Sequence, residues 1–485
     1  MGGFTCERVL VGGEWLPAAR GTHPVVDPAT GAVAGHAPEA SVEQARAAAR
    51  AAREAFLHGP WPRLSFAERG TLLRKAADAF RQAAPGLVDL TIAETGAVRG
   101  VAESQQVGAV AARLEKYAAM AAVLGDEGLA PRELPGGKVQ ASIVAREPVG
   151  VVACITPFNF PMTNCAGKIA PALAVGNTVV VKPAPADPLG VAELCRVVAD
   201  VLPPGVVNFV SGQDPALGAA LTESDDVDMI SFTGSTAVGL AIQQAAAKRL
   251  KRTLLELGGK SAQIVFADAD PEAALRGAMQ VWTFHSGQIC IAGTRLLVEQ
   301  GIYDDFTKRL AAAASRIAIG DPRTPGTVMG PLVSTAHRDR VAGFVRQGIA
   351  EGATLACGGK PPAAPAGGAF FEPTLFTNVR NDMVIAREEI FGPVIAAIPF
   401  ADEAEAVAIA NDSEYGLYGY VWSRDLPKAI RVARALRTGT VQINSGSGMH
   451  PDAPFGGYKR SGIGRDGGMY ALDAYSELKT MGWTA

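Results

Sequence analysis

The sequence has no cysteine pair at the spacing of a zinc-binding or redox motif, and no large excess of either charge. No histidine lies at zinc-ligand spacing from any of the six cysteines, so neither a disulfide framework nor a metal site is predicted. Lys and Arg number 45 against 48 Asp and Glu, giving a formal net charge of -3. This balance does not favour nucleic acid or an anionic membrane surface as a partner.

Long apolar runs and targeting segments are also missing. No uninterrupted apolar run reaches about 18 residues, so no membrane span is predicted. The first ten residues lack a basic segment followed by an apolar core, so no secretory signal is expected. Cys6 stands where a myristoylation signal has Ser or Thr. One thiol per roughly eighty residues is typical of a reducing compartment, and we therefore expect a cytoplasmic protein.

What is present indicates a folded globular chain. Hydrophobic residues make up 48% of the 485 residues and charged residues 19%, and the length suggests about three domains. Helical patterns cover 41–56, 65–83 and 100–123, and their Ala-rich faces predict packing layers. Ser41 with Gln44 predicts a capping box at the first of these helices.

From residue 150 onward, short β-branched runs alternate with segments of helical length. A second alternating region begins near Ser261 and extends to about Ile443. Strands of this length separated by helices predict parallel βαβ units, and hence two α/β domains in series. The runs of the first region are 151–155, 178–182, 206–210 and 227–232.

Two segments fit neither pattern. Residues 138–147 alternate polar and apolar side chains, as an exposed two-stranded hairpin arm would, and residues 474–484 resemble a further strand. The unpaired edges of such an arm need cover, and a second copy of the chain usually provides it. We therefore expect a homo-oligomer.

Two residues could carry covalent and acid–base chemistry. Cys290 lies between Gly287 and Gly293 in FHSGQICIAGTR, where the missing side chains would let backbone approach closely and leave room for a ligand beside the sulfur. Taken alone, it could equally be a buried structural thiol. Glu256 lies upstream, at the end of an apolar strand and before a Gly pair. It could face a pocket as a general base or remain a solvated charge at a strand end.

Asn159 lies in ITPFNFP, directly after the first strand of the parallel region. Open α/β sheets bind their ligands at the C-terminal ends of such strands. Its amide could donate to an oxyanion beside the Cys290 backbone N–H, although Asn159 could also be an ordinary turn residue.

Two glycine-containing segments could bind phosphate. FTGSTAVG follows a predicted strand and opens a helix, so Gly234 and Gly239 could bring a pyrophosphate to a helix N-terminus. A GxGxxG sequence occurs at Gly462, Gly464 and Gly467. No apolar strand precedes it, and we interpret it as a loop without a cofactor role.

Together, these motifs resemble the aldehyde dehydrogenase superfamily from about residue 20 to the C-terminus: ITPFNFP, GNTVVVKP, FTGSTAVG, LELGGKS, GQIC, EEIFGPV and PFGGYKRSG. The resemblance implies oxidation of a small aldehyde to a carboxylic acid with NAD, NADP not being excluded. It also implies a homodimer or homotetramer and an α/β fold in three parts. These are a Rossmann-like cofactor domain at 1–125 and 148–258, a catalytic α/β domain at 259–460, and a β-hairpin oligomerisation arm at 126–147 with a C-terminal strand at 461–485.

The same resemblance implies roles for individual residues. Cys290 would be the nucleophile, and Glu256 the base that activates the thiol or the hydrolytic water. Asn159 and the Cys290 N–H would form the oxyanion hole. Lys168 and Asp466 match a proton-relay path, with Asp where Glu is more common. Because relatives that transfer the acyl group to coenzyme A tend to lack the Glu256 carboxylate, hydrolysis to the free acid is expected. The residues expected to hold the cofactor are Ile155, Thr156, Phe158, Lys182, Gly212, Gly234, Ser235, Gly239, Glu389 and Phe391.

Two features bear on cofactor and substrate choice. Pro185 stands where NAD-preferring members often carry a Glu that bonds the ribose hydroxyls, so NADP stays open. No position expected along the substrate tunnel is cationic, and Gly167 removes an aromatic wall that a choline-type aldehyde would use. This favours a neutral medium-chain, aromatic or terpenoid aldehyde. The tunnel positions are Phe160, Thr163, Asn164, Gly167, Phe284, Ile289, Ile291, Met449 and Phe455.

Two alternatives remain open at this point. A cysteine-dependent esterase or acyl hydrolase could use Cys290 and Glu256 without redox chemistry, but it would have no use for Glu389, Phe391 or the Gly234 loop. A non-catalytic structural relative would be expected to have lost Cys290, Glu256 or Asn159, and the sequence retains all three.

Overall fold

Two large, mainly parallel sheets form the framework of the computed structural model, which describes residues 4–365, 367–446, 448 and 450–485. From edge to edge, the eight-stranded sheet consists of Gly462–Ile463, Arg252–Glu256, Met229–Thr233, Val151–Ile155, Thr178–Lys182, Val207–Phe209, Arg8–Val11 and Glu14–Pro17. The seven-stranded sheet consists of Thr354–Cys357, Thr374–Thr377, Val394–Phe400, Arg295–Glu299, Ala262–Val265, Tyr418–Trp422 and Thr440–Ile443.

The central strands of both sheets run parallel, so the predicted α/β fold class is confirmed. Val151–Ile155 and Thr178–Lys182 coincide with the predicted runs, and nearly every residue in them is buried. Such continuous apolar runs are typical of strands covered by helices on both faces. The other two runs shift by a few residues, to Val207–Phe209 and Met229–Thr233.

Most connections between strands are helical. Ser41 forms the predicted capping box: its hydroxyl accepts the Gln44 N–H at 3.2 Å, and the Gln44 side chain accepts the Ser41 N–H at 3.1 Å. The α-helices are Val42–His58, Phe66–Thr95, Arg99–Val101, Gly108–Ala121, Pro161–Ala174, Leu189–Ala199, Ala216–Glu223, Thr236–Ala247, Pro271–Thr283, Tyr303–Ala314, Thr335–Ala350, Val384–Arg387, Glu403–Asn411, Leu426–Ala435 and Gly468–Ala474.

Two helical predictions differ from the structure in extent. The helix predicted at 65–83 continues to Thr95, with Pro85 inside it. The helix predicted at 100–123 is interrupted by a π-helical segment, Ala102–Val107. Single 3₁₀ turns lie at Trp61–Arg63, Phe284–Gly287 and Gln300–Ile302. In the described part of the chain, no helix is both long enough and apolar enough to span a membrane.

The predicted arm is a three-stranded antiparallel sheet. Lys138–Pro148 is a single central strand, so the two-stranded interpretation of 138–147 is wrong. Its partners are Glu127–Leu134 on one side and Ser476–Thr484 on the other. The smaller sheets are formed by Phe4–Thr5, Val33–Pro38 and Thr22–Val26, and by Tyr415–Gly416 with Tyr458–Lys459.

The GxGxxG segment is part of the edge of the eight-stranded sheet. Gly462–Ile463 pairs antiparallel with Leu255 and Glu256, so the predicted C-terminal segment 461–485 begins inside this sheet. Gly464 lets the chain pack against Leu254, since a Cβ there would lie 2.6 Å from its Cδ1 atom. These glycines serve close packing beside Glu256, while the domain boundaries stay predictions.

Candidate active site

A cavity of about 1460 Å³ opens at the C-terminal edge of the eight-stranded sheet. Parallel strands present their C-terminal ends at one edge, and loops after neighbouring strands therefore meet there. Asn159 follows Val151–Ile155, Lys182 ends the next strand, and Glu256 ends Arg252–Glu256. The opposite wall comes from the second half of the chain and includes Cys290 and Glu389.

The segment before Cys290 has an unusual backbone. His285, Ser286 and Gly287 have φ values of 48°, 57° and 74°, a conformation that costs energy in the two non-glycine residues. The Ser286 hydroxyl donates to the Gly330 carbonyl at 2.7 Å. Packing of this kind holds the strained segment, after which Cys290 borders the cavity.

The two glycines around Cys290 do not leave room for a ligand. A side chain at Gly287 would overlap the Gly392 backbone, and a Cβ on Gly293 would lie 3.1 Å from the Tyr420 ring. Tyr420 in turn donates its hydroxyl to the Ile291 carbonyl at 3.0 Å. Gly287 therefore lets backbone approach closely, as expected, whereas the expectation that the two glycines leave room for a ligand is wrong.

The Cys290 thiol is half-buried by surface area because it borders the cavity, although protein surrounds it on its other sides. Burial raises its pKa to about 12, with further contributions from the carboxylates of Glu389 and Glu256. The backbone N–H groups of Cys290 and Ile291 oppose this shift. The protein therefore holds a neutral thiol at neutral pH, and a nearby base would be needed to activate it.

Asn159 is buried and held by three hydrogen bonds. Its side-chain amide donates to the Gln288 carbonyl at 2.8 Å, and its side-chain oxygen accepts from the Asn164 amide at 3.4 Å. The Gln106 amide donates to its backbone carbonyl at 2.9 Å. A carboxamide has two N–H donors, so the bond to Gln288 orients the group and leaves one N–H for another acceptor.

Glu256 is buried without compensation. In the part of the chain that the structure describes, neither of its carboxylate oxygens has a hydrogen-bond partner. Burial raises its pKa well above the usual value, and the carboxylate of Asp466 adds to the shift, whereas the Lys168 ammonium opposes it. Burying a charged carboxylate without partners is costly, so the protonated form is favoured at rest.

Lys168 and Asp466 lie beside Glu256, in the same cavity wall. Lys168 Nζ is 3.8 Å from Asp466 Oδ2 and donates to the Ser231 hydroxyl at 3.2 Å. The Ser231 hydroxyl is 2.7 Å from the Tyr475 hydroxyl. Burial raises the pKa of Asp466, and Lys168 is the stronger of two cations that oppose this. The chain thus places a row of proton-exchanging groups next to Glu256.

The outer part of the cavity contains Lys182 and Glu389. Lys182 is buried, which lowers its pKa. Glu389 accepts the Gly259 N–H at 3.0 Å, and burial raises its pKa to about 7. Phe391, with a φ of 58°, packs edge-on against Phe158 at 5.5 Å between ring centroids.

The structure brings most of the predicted residues together. All five residues with predicted catalytic roles line the cavity, and so do eight of the ten predicted to hold the cofactor. Gly212 and Gly239 do not. A Cβ on Gly212 would lie 2.6 Å from Leu217, and one on Gly239 would overlap Leu257, so both glycines allow close packing of a leucine side chain. The residues that line it are Cys290, Glu256, Asn159, Lys168, Asp466, Ile155, Thr156, Phe158, Lys182, Gly234, Ser235, Glu389 and Phe391.

The predicted tunnel is only partly neutral. Eight of its nine positions line the cavity, and the ninth, Met449, lies outside the described residues. Arg113 and Lys116 also line it, so the expectation of a tunnel without cationic side chains is wrong. The sequence contains a signal for them, because the cavity-lining residues of this helix have the spacing of one helical face: Ala109, Ala112, Arg113, Lys116 and Tyr117.

Two further residues of interest were not anticipated. His337 lines the cavity and donates from Nε2 to the Phe391 carbonyl at 2.7 Å. Gln288 accepts from Asn159 through its backbone and from the Val333 N–H through its side chain at 2.9 Å. Both hold residues of the site in place, and no motif marked them. Pro185 is exposed, and its carbonyl lies 3.0 Å from His23 Nε2.

The fold and the cavity define an α/β protein with a thiol and a buried carboxyl at the ligand-binding edge of a parallel sheet. Residues 15–481 match the aldehyde dehydrogenase family, and the chain belongs to that family. The resemblance seen in the sequence motifs is thereby confirmed.

Similar proteins cover nearly the whole chain. Betaine aldehyde dehydrogenase from Bacillus subtilis is 41% identical over 478 residues, which are 98% of this chain and 96% of that protein. Aldehyde dehydrogenase 1A1 from Equus caballus is 40% identical over 482 residues, or 99% and 95%. The crystal structure of betaine aldehyde dehydrogenase from Staphylococcus aureus in complex with NAD+ has a TM-score of 0.95 and 37% identity, covering 98% of this chain and 95% of that one.

Proposed function

We propose that this protein oxidises an aldehyde to the carboxylic acid with NAD(P), through a covalent intermediate on Cys290 that is released by hydrolysis. The observation that carries the proposal is that the Cys290 thiol, the oriented Asn159 amide and the unpartnered Glu256 carboxyl border one cavity. The similar betaine aldehyde dehydrogenase that was crystallised with NAD+ supports it.

Cys290 would attack the aldehyde carbon as a thiolate, forming a C–S bond while the carbonyl oxygen becomes an oxyanion. The second N–H of Asn159 and the Cys290 backbone N–H are the donors that would stabilise this oxygen. Removing one such donor typically costs about two to three orders of magnitude in rate. Gln288 acts as a positioning residue, since its carbonyl orients the Asn159 amide.

Loss of hydride from the tetrahedral carbon would leave a thioester on Cys290. Glu256, in its carboxylate form, would accept the proton of the water that attacks this thioester. A carboxylate with a raised pKa is a stronger base than an ordinary one, which suits proton abstraction near neutral pH. The proton would then pass from Glu256 to the neighbouring groups Lys168, Ser231 and Asp466, which would return Glu256 to its carboxylate form. The absence of hydrogen-bond partners on Glu256 within the described residues leaves both its oxygens for this work.

The residues of the outer cavity fit a dinucleotide. The buried Thr156 hydroxyl borders the cavity without a hydrogen-bond partner among the described residues. Ser235 caps the helix Thr236–Ala247, whose N-terminal N–H groups favour phosphate. Lys182 and Glu389 would bind ribose hydroxyls, with Phe391 beside the nicotinamide ring. The bound nucleotide would supply the hydride acceptor.

Choice between NAD and NADP stays open in this proposal. Pro185 offers no carboxylate to repel a 2′-phosphate, and Lys182, three residues earlier, supplies a cation to the cavity wall. The exposed edges of the arm support a homo-oligomer, and the six free thiols suit a cytoplasmic location.

The test is the near-ultraviolet absorbance of NADH or NADPH formed from a panel of aldehydes, with the parent enzyme and Cys290→Ala. We expect reduced cofactor only from the parent, with a loss of at least about four orders of magnitude in the variant. Cys195→Ala, which alters a buried thiol outside the cavity, is the matched control. Ester hydrolysis by Cys290 without any aldehyde oxidation would instead support an acyl hydrolase.

The tail of the aldehyde would lie among apolar and aromatic side chains. Phe160 and Phe284 stack with ring centroids 6.2 Å apart, and Ile289, Ile291 and Phe455 border the same space. This supports a medium-sized aliphatic or aromatic body. Because the cation Arg113 also lines the cavity, we no longer expect the tail of the aldehyde to be neutral.

A further inference from the structure

Arg113 lies in the cavity wall on the helix Gly108–Ala121 and faces Gly167 of the helix Pro161–Ala174. A Cβ on Gly167 would lie only 2.8 Å from Arg113 Nη1. Any larger residue at 167 would therefore displace the guanidinium. Gly167 removes an aromatic wall, and the structure places a cation in the space that such a wall would fill.

The guanidinium has no partner that would neutralise it. Within the described ranges, no hydrogen bond or ion pair joins it to another group, and it is accessible to solvent in the cavity. The ionisable groups that face it are Asp466 and the Tyr117 phenol. Asp466 already has Lys168 at 3.8 Å, so its carboxylate is shared with a nearer cation.

Lys116, one helical turn further along, provides a contrast. Its Nζ lies 3.0 Å from Asp452 Oδ1 and donates to the Pro451 carbonyl. It borders the same cavity, but its charge is neutralised by Asp452 and two of its three N–H donors are engaged. Of these two cations in the tunnel, Arg113 is the one whose five N–H donors remain available.

We propose that Arg113 binds a carboxylate at the far end of the aldehyde, so that the substrate has an apolar body with an anionic terminus. This rests on the proposed function. A planar guanidinium suits a carboxylate because it can offer two parallel N–H donors. A quaternary ammonium tail, such as that of betaine aldehyde, would meet a like charge at the same place and be disfavoured.

The helix Pro161–Ala174 gives a length for the body of the substrate. Asn159, which would hold the reacting oxygen, lies just before the helix, and Gly167 lies about six residues inside it. With a rise of about 1.5 Å per residue, the helical stretch from Pro161 to Gly167 spans roughly 9 Å along the helix axis, which is a lower bound on the separation of Asn159 from Gly167. Phe160 and Phe284 lie at the oxyanion end of this interval, and a benzene ring or a short alkyl chain would span it.

The experiment compares three benzaldehydes whose group opposite the aldehyde is anionic, neutral or cationic: 4-carboxybenzaldehyde, methyl 4-formylbenzoate and 4-(trimethylammonio)benzaldehyde. The readout is the ratio of kcat/KM for the carboxylate to that for the methyl ester. In the parent we expect the order carboxylate, ester, ammonium. In Arg113→Met this ratio should fall at least about tenfold, and Arg113→Lys should restore part of it.

Lys116→Met is the matched control, because it removes a cation from the same helix face that is already paired with Asp452. It should change the ratio by less than about threefold. Gly167→Ala should lower the ratio in the same direction as Arg113→Met, since the added methyl group displaces the guanidinium without removing it.

Binding of terephthalate, followed by calorimetry, gives a readout that does not need turnover. We expect its Kd to rise about tenfold in Arg113→Met. Equal Kd values in parent and variant, a parental ratio near one, or an equal fall of kcat/KM for ester and carboxylate would each overturn the assignment. An equal fall would mean that Arg113 acts through Asp466. Oxidation of the ester without preference for the carboxylate defeats this inference alone, whereas no oxidation of any aldehyde defeats the proposed function.

Discussion

Two walls of one cavity each contribute a glutamate, and the protein treats them differently. Glu256, from the eight-stranded sheet, is buried with no hydrogen-bond partner among the described residues, and its pKa is raised well above the usual value. Glu389, from the opposite wall, accepts the Gly259 N–H, and its pKa is raised only to about 7. The Glu389 carboxyl thus has an N–H donor that the Glu256 carboxyl lacks among the described residues. Glu256 is suited to take up a proton, and Glu389 is suited to bind hydroxyl groups.

The local structure explains the contrast. Glu256 ends a strand that lies between Thr233 and Gly462, so its backbone is fixed by two neighbouring strands while its side chain faces the cavity. A Cβ on Gly456 would lie 2.9 Å from its Oε1 atom, which shows how closely the backbone encloses the carboxyl. Glu389 lies in a loop after the short helix Val384–Arg387 and borders the wider, outer part of the cavity.

Among changes to the two glutamates and Asn159, the largest expected effect is that of Glu256→Gln. Glutamine matches the shape of the protonated carboxyl that burial favours, so the fold should be retained, but it cannot accept a proton from water. We expect steady-state turnover to fall by about two to four orders of magnitude. A first burst of NADH, equal to the number of active sites, should remain when Glu256 serves the water alone, and it should disappear when Glu256 also activates the Cys290 thiol. A variant with normal turnover would show that Glu256 is not the base.

A smaller loss is expected for Asn159→Ala, which removes the side-chain N–H that would donate to the oxyanion. The kcat/KM value should fall by about two to three orders of magnitude, with the burst and the steady state slowed together. Asn164→Ala is the control: Asn164 bonds the side-chain oxygen of Asn159 at 3.4 Å and not the reacting oxygen. A loss of similar size in both variants would argue for a structural role of Asn159.

On the other wall, Glu389→Gln should act on cofactor binding. We expect KM for NAD to rise about tenfold, while the burst amplitude at saturating NAD stays at one per site. Glu388→Gln changes an exposed neighbour in the same loop and should leave KM for NAD as it is. If Glu389→Gln abolished the burst instead, the two carboxyls would not have separate roles.

The smallest effect is a pH dependence that separates the two carboxyls further. Because burial raises the pKa of Glu389 to about 7, its carboxylate form increases as the pH rises from about 6 to about 8. The carboxylate is the stronger acceptor for hydroxyl groups, so KM for NAD should fall severalfold over this range. The fall should be absent in Glu389→Gln, and a KM that rises with pH would contradict the assignment.

Local features of the fold followed from the sequence with little error. The Ser41 capping box and the strands Val151–Ile155 and Thr178–Lys182 depend on neighbouring residues and on the period of apolar positions, both of which are visible in a single chain. The prediction for the arm was less accurate. Alternation of polar and apolar residues in 138–147 does not show whether the segment is one strand or two, nor that it pairs with the distant segment Ser476–Thr484.

The sequence by itself determined the family, the α/β class and the residues that line the cavity from motif-bearing loops, such as Asn159, Glu256 and Cys290. Tertiary structure alone decided the rest. The sequence does not show whether a ligand or a protein side chain approaches Gly212 and Gly239. In the structure, each of them packs closely against a leucine. Arg113 became a group of the cavity only because two helices, distant in sequence, cross at Gly167. Burial and hydrogen-bond partners are properties of the assembled chain, and they decide which charges remain unpaired.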